Sequence, residues 1–94
     1  MTIEKILEEI IRAKNGSTFD SHEIILEFAR NNQNLYITGL NDIKDKCNPP
    51  PFTRFHATLG IKIKSICDEL GYQNKDIKSH NIFRQISECK KYEL

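Results

Sequence analysis

Pro51-Phe52-Thr53-Arg54-Phe55-His56-Ala57-Thr58-Leu59-Gly60-Ile61-Lys62-Ile63-Lys64-Ser65-Ile66-Cys67-Asp68-Glu69-Leu70-Gly71 is the stretch on which the fold turns. Its apolar residues Phe52, Phe55, Leu59, Ile63, Ile66, Cys67 and Leu70 recur three and four apart, the spacing that puts side chains on one face of a helix. Gly71 then provides a stop, because glycine enters the left-handed cap conformation without a steric penalty. The opposite face carries Arg54, Thr58, Ile61, Lys62, Lys64 and Ser65. These are mostly polar and cationic groups of the kind that meet phosphates and base edges.

Upstream of that helix, Cys47-Asn48-Pro49-Pro50-Pro51 is a breaker, since prolines cannot donate to a helix and favour an extended run. It reads as a rigid connector setting the angle of the long helix. Before it, Asp20-Ser21-His22-Glu23 reads as a capping box, with Phe19 and Ile24 as its hydrophobic staple. The helix it opens should run from about Ser21 to near Asp45, with Ile24, Ile25, Phe28 and Ala29 as its buried stripe. A bend or break is expected around Asn31–Asn34, with Leu35, Tyr36 and Gly39 continuing the stripe. Leu26, Ile37 and Leu40 form a second apolar strip on another side. At the N-terminus, Ile3, Ile6, Leu7, Ile10 and Ile11 predict a helix from about Ile3 to Lys14, capped by Thr2 and ended by Asn15-Gly16.

Downstream of Gly71, Tyr72-Gln73-Asn74-Lys75 reads as a polar turn, followed by apolar positions at Ile77, Ile82 and Phe83. Two readings of residues 76–94 compete. The first is a hairpin of two short strands with its turn around Arg84 to Glu88. The second is a helix from Asn81, because Ile82, Ile86 and Cys89 also fit helical spacing. The fold class on the first reading is mainly α: three or four helices with a short C-terminal β-hairpin, in a single domain over residues 1–94.

Ninety-four residues suffice for one core. A hydrophobic share of 38% and a charged share of 29% are those of a globular chain. No apolar run approaches the roughly 18 residues of a membrane-spanning helix, and no signal-peptide pattern opens the chain, which predicts a cytoplasmic protein without a membrane partner. The net charge of +1 divides unevenly: residues 1–47 hold 6 Lys/Arg and 8 Asp/Glu, residues 48–94 hold 8 and 5. The C-terminal half can therefore carry a basic face. Cys47, Cys67 and Cys89 form no C-x-x-C pair and are expected as free thiols, Cys67 as a small core hydrophobe. His22, His56 and His80 are isolated, without the close pairing of zinc motifs, so no metal is expected; His56 reads as a hydrogen-bonded boundary residue. There is no phosphate-binding glycine loop, no nucleophile elbow and no H-E-x-x-H, and neither catalysis nor a cofactor is expected.

The run Leu59-Gly60-x-x-Ile63-x-x-Ile66-Cys67-Asp68-Glu69-Leu70-Gly71-Tyr72, followed by a basic hairpin, resembles the end of the recognition helix in some small phage and bacterial winged helix-turn-helix domains. That resemblance implies that Ile3–Lys14 is the first helix, Pro51–Leu70 the recognition helix and Asp76–Leu94 the wing. The chain departs from the pattern in its triproline entry and in having Arg84, not glycine, at the wing tip. By the same resemblance the partner is duplex DNA. Arg54, Thr58, Lys62 and Ser65 would enter the major groove, and Lys75, Lys78, Arg84, Lys90 and Lys91 would hold the backbone. The competing expectation is a protein partner or homodimer docking on Leu26, Ile37, Leu40 and Ile61.

Overall fold

The computed structural model describes residues 2–44 and 50–94. Within them are four helices and a three-stranded antiparallel sheet. The elements run α1 (Ile3–Ala13), β1 (Phe19–Asp20), α2 (Ser21–Asn31), α3 (Gln33–Ile43), α4 (Pro51–Glu69), β2 (Gln73–His80) and β3 (Ile86–Glu93). The strand order is β1-β3-β2. The expected C-terminal hairpin is present on a mainly helical frame.

The caps follow local chemistry. Thr2 Oγ1 accepts from the Lys5 amide at 3.2 Å and Asp20 Oδ1 accepts from the Glu23 amide at 3.0 Å, each satisfying a donor that a helix start leaves free. The expected break falls at Asn32, whose φ of −136° and ψ of 52° separate α2 from α3. Helix α3 ends at Ile43, and Asp45 and the Cys47–Pro49 part of the breaker lie outside the described residues. Pro51 occupies the first turn of α4, where its missing N–H costs nothing. At the far end Tyr72 N–H donates to Cys67 O at 3.0 Å and Gly71 N–H to Asp68 O at 3.3 Å, with Gly71 at φ +87°. That pair of bonds is a Schellman cap, and it turns the chain from α4 straight into β2.

Two expectations about the C-terminus need correction. Strand β2 begins at Gln73, inside the segment read as a polar turn, and the connection spans residues 81–85, not 84–88. Asn81 is the reason: its side-chain oxygen accepts from the amides of Phe83 (2.9 Å) and Gln85 (3.1 Å), and Arg84 takes a left-handed φ of +62°. This local turn positions Ile86 opposite His80, so residues 86–93 pair as a strand and the helical alternative from Asn81 does not form. Strand β1 was not anticipated. Its two residues pair with the end of β3, Phe19 with Tyr92 and Asp20 with Lys91, and tie the hairpin base to the start of α2.

One core joins the helices to the sheet. Leu7 and Ile11 of α1, Ile24 and Phe28 of α2, Leu59, Ile63 and Cys67 of α4, and Tyr92 of β3 are all fully buried. Phe19, expected only as part of a capping staple, packs edge-on to Tyr72 with ring centroids 5.2 Å apart and lies 5.6 Å from Tyr92. Ile10 and Ile66, expected in the same core, are partly buried against it. Gly39 lets α3 approach α4 closely, because a methyl group there would overlap the Phe55 ring.

Candidate functional site

Helix α4 and the hairpin together carry the expected contact residues, and the structure divides them. Projection of α4 places Arg54, Thr58, Lys62 and Ser65 on one flank, which runs toward α1: Lys62 forms an ion pair with Glu4 of that helix. The Glu4 carboxyl is correspondingly held below its ordinary range, first by the hydrogen bond from Lys62. Thr58 Oγ1 donates to the Arg54 carbonyl at 3.1 Å and so is turned back on its own helix. Arg54 and Ser65 are exposed.

On the hairpin, Lys90 pairs with Asp76 at 2.7 Å across the two strands. Lys75, Lys78 and Arg84 are exposed and Lys91 is half-buried. Lys75 and Lys91 stand directly opposite each other in the β2–β3 ladder. Like charges in that relation repel, and on its other side Lys91 stands opposite the Asp20 carboxylate of β1, which offsets that repulsion. Among the described residues, the ion pairs thus occupy Lys62 and Lys90 of the expected contact set, and also Lys64, which pairs with Asp68 at 2.7 Å.

The other flank of α4 faces the hairpin across a groove of about 670 Å³, lined by Phe52, His56, Ala57, Gly60 and Ile61 on the helix side and by Phe83, Cys89 and Lys90 on the other. Its mouth is aromatic. The Phe83 ring at the turn meets Phe52 edge-on at 5.0 Å and stacks on His56 at 5.9 Å with planes 13° apart. Phe52 is 44% exposed and Phe83 47%, so these rings cover each other without being closed off from solvent. The apolar pattern puts Phe52 in the buried stripe of the long helix and Phe83 among the apolar positions after Gly71, but no spacing brings the two together.

His56 is the hydrogen-bonded boundary residue expected, with Nε2 lying 2.5 Å from the Tyr36 hydroxyl. Burial pushes the imidazole below its ordinary value of 6.5, and the neighbouring His22 pushes the same way. Burial raises the Tyr36 phenol to about 12. With both groups neutral, the phenol donates to Nε2.

The outer apolar residues do not converge on one face of the groove. Ile61 is 72% exposed and borders it, whereas Leu26 borders a separate cavity of about 220 Å³ beside Asp20, His22 and Ser79. Ile37 is exposed on α3 and Leu40 is partly buried against the core.

That second cavity marks a grouping the sequence did not reveal. His22 Nδ1 is 2.8 Å from Ser79 Oγ and its Nε2 is 3.1 Å from Ser87 Oγ, while Ser79 Oγ lies 3.3 Å from Cys89 Sγ. Burial lowers the pKa of His22, partly opposed by the Asp20 carboxylate. The residues come from β1, α2 and both hairpin strands, and their separation along the chain leaves no spacing signal. Among the described residues, Cys67 and Cys89 are free thiols, and burial raises the Cys67 thiol to about 12. No described helix is long and apolar enough to cross a membrane. Comparison with known proteins found no matching family model, no similar curated sequence and no similar solved structure.

Proposed function

We propose that this chain is a winged-helix-like module that binds duplex DNA without catalysing a reaction. The observation that carries the reading is topological. Helix α1, strand β1 and helix α2 precede a long helix that runs through a glycine cap into a hairpin, and the sheet is ordered β1-β3-β2. In a winged helix-turn-helix the helix before the hairpin serves as the reader and the hairpin as the wing. Helix α3 is then an addition between the second helix and the reader.

In this reading Arg54, near the start of α4, meets a base edge, while Lys75, Lys78, Arg84 and Lys91 hold phosphates. Lys62 and Lys90 contribute less, because a phosphate must first displace Glu4 or Asp76 from them. The test is fluorescence anisotropy with mixed-sequence duplex over a salt series. Four or five neutralised phosphates give a slope of log K against log salt of roughly −4. The double variant Lys75→Glu/Lys91→Glu weakens binding to every sequence, and Arg54→Ala relaxes preference at one base pair by about 1–3 kcal/mol. Absence of salt-sensitive binding overturns the reading.

The half-exposed aromatic groove favours a second reading, association with another protein surface, in the first instance a second copy of the chain. Sedimentation at micromolar concentration distinguishes it: a dimer dispersed by Ile61→Ser and Phe83→Ser supports it, and a monomer removes it.

A further inference from the structure

Three side chains with metal-binding chemistry meet where β1, α2 and β3 come together. Asp20, His22 and Cys89 each offer one donor atom, and the three atoms lie within 4.8 Å of one another. We propose that they form a site for a divalent cation of the Zn²⁺ class, one that accepts thiolate, imidazole and carboxylate together.

The donor set sorts among metals on chemical grounds. A thiolate and an imidazole disfavour Mg²⁺ and Ca²⁺, which take oxygen, whereas sulfur, nitrogen and carboxylate donors are all ligands of Zn²⁺. Around a tetrahedral Zn²⁺, donors at about 2.0–2.3 Å from the ion stand about 3.3–3.8 Å apart. The observed spread, within 4.8 Å, exceeds that by about 1–1.5 Å at most. Small side-chain rotations close such a gap.

Each donor also has a neighbouring contact, that of Cys89 being Ser79 Oγ at 3.3 Å from its Sγ. Asp20 caps α2 through Oδ1, and its other carboxylate oxygen makes no hydrogen bond among the described residues. His22 is held between two hydroxyls at opposed positions of the hairpin, Ser79 and Ser87. When a metal takes Nδ1, Ser79 yields its place there and Ser87 still accepts from Nε2–H. An outer partner of that kind is what orients metal-bound imidazoles in general. Asp20 and His22 line the cavity of about 220 Å³, and His22 and Cys89 line the larger groove, so the three donors stand where the two open spaces adjoin. A bound ion would clamp the hairpin to the start of α2 and fix the orientation of the wing.

The experiment is a titration of the reduced 94-residue chain with Co²⁺, read by absorbance, followed by competition with Zn²⁺. One equivalent of Co²⁺ should be taken up with a thiolate-to-cobalt charge-transfer band and tetrahedral visible bands, and Zn²⁺ should displace it and raise the thermal midpoint. Cys89→Ser should abolish the charge-transfer band. Asp20→Asn, which keeps a capping side chain, should weaken uptake by tenfold or more. Circular dichroism of the metal-free variants establishes that each is folded. Failure to take up one equivalent at micromolar protein, or a charge-transfer band that survives Cys89→Ser, overturns the proposal.

Discussion

The two ends of the β2–β3 hairpin use the same kind of residue to opposite effect. At the base, Phe19, Tyr72 and Tyr92 pack as an aromatic cluster, with Tyr92 fully buried and Phe19 nearly so. At the tip, Phe83 meets Phe52 and His56 with almost the same ring separations, yet both phenylalanines remain close to half exposed. Aromatic contact alone therefore does not mark a core. The base is closed because β1, α2 and α4 converge on it, whereas among the described residues the Phe83 ring at the tip rests on Phe52 and His56 in the first turns of α4. Stability should reside at the base, and surface available to a partner at the tip.

The largest effect expected from this contrast is on stability. Tyr92→Ala should lose about 3–5 kcal/mol in chemical denaturation, the range for emptying a buried aromatic site. Phe83→Ala should lose no more than about 1 kcal/mol, because its ring never leaves solvent fully. Equal losses would break the comparison. Tyr92→Phe sharpens it: the Tyr92 hydroxyl is buried without a hydrogen-bond partner among the described residues. Removing it should be neutral or stabilising by up to about 1 kcal/mol, since an unpaired buried hydroxyl is a cost.

A smaller gain is expected at the turn. Arg84 holds φ at +62°, a conformation that costs a side-chain-bearing residue about 1–2 kcal/mol. Arg84→Gly should therefore raise the unfolding midpoint by an amount worth about 0.5–1 kcal/mol, after the extra freedom of glycine in the unfolded chain is subtracted. The same change should weaken any DNA binding. A lower midpoint would mean that the arginine side chain is itself anchored.

The smallest effect concerns pH. His56 has its folded-state value depressed below 6.5 by burial, so on acidification the unfolded chain takes up its proton first. Stability should then decline as pH falls below about 6.5 and level off once pH passes below the folded-state value. His56→Gln should flatten that part of the profile, leaving the contribution of His22, which has the same sign. Identical pH profiles for the two proteins would show that the imidazole at the tip is freely solvated.

Much of the helical frame was legible because its signals are local. The Thr2 and Asp20 caps, the break at Asn32 and the glycine stop at Gly71 each depend on residues within one helical turn. The burial of Leu59, Ile63 and Cys67 followed from periodicity alone. The hairpin limits were harder to read, because β2 is exposed along most of its length and carries little of the apolar alternation that marks a half-buried strand. Asn81 was the available signal for the turn, through the capacity of its side chain to hold the next amides. Strand β1, at two residues, is too short for any period.

The sequence by itself determined the helices, their caps, the core face of α4 and the cationic bias of the C-terminal half, because each is set by neighbours along the chain or by composition. Only the tertiary structure decided the pairing of Phe19 with Tyr92, the neutralisation of Lys62 by Glu4 and of Lys90 by Asp76, and the meeting of His22 with Cys89. These contacts join residues 14 to 73 positions apart, and no spacing rule reaches across the folded chain to foresee them.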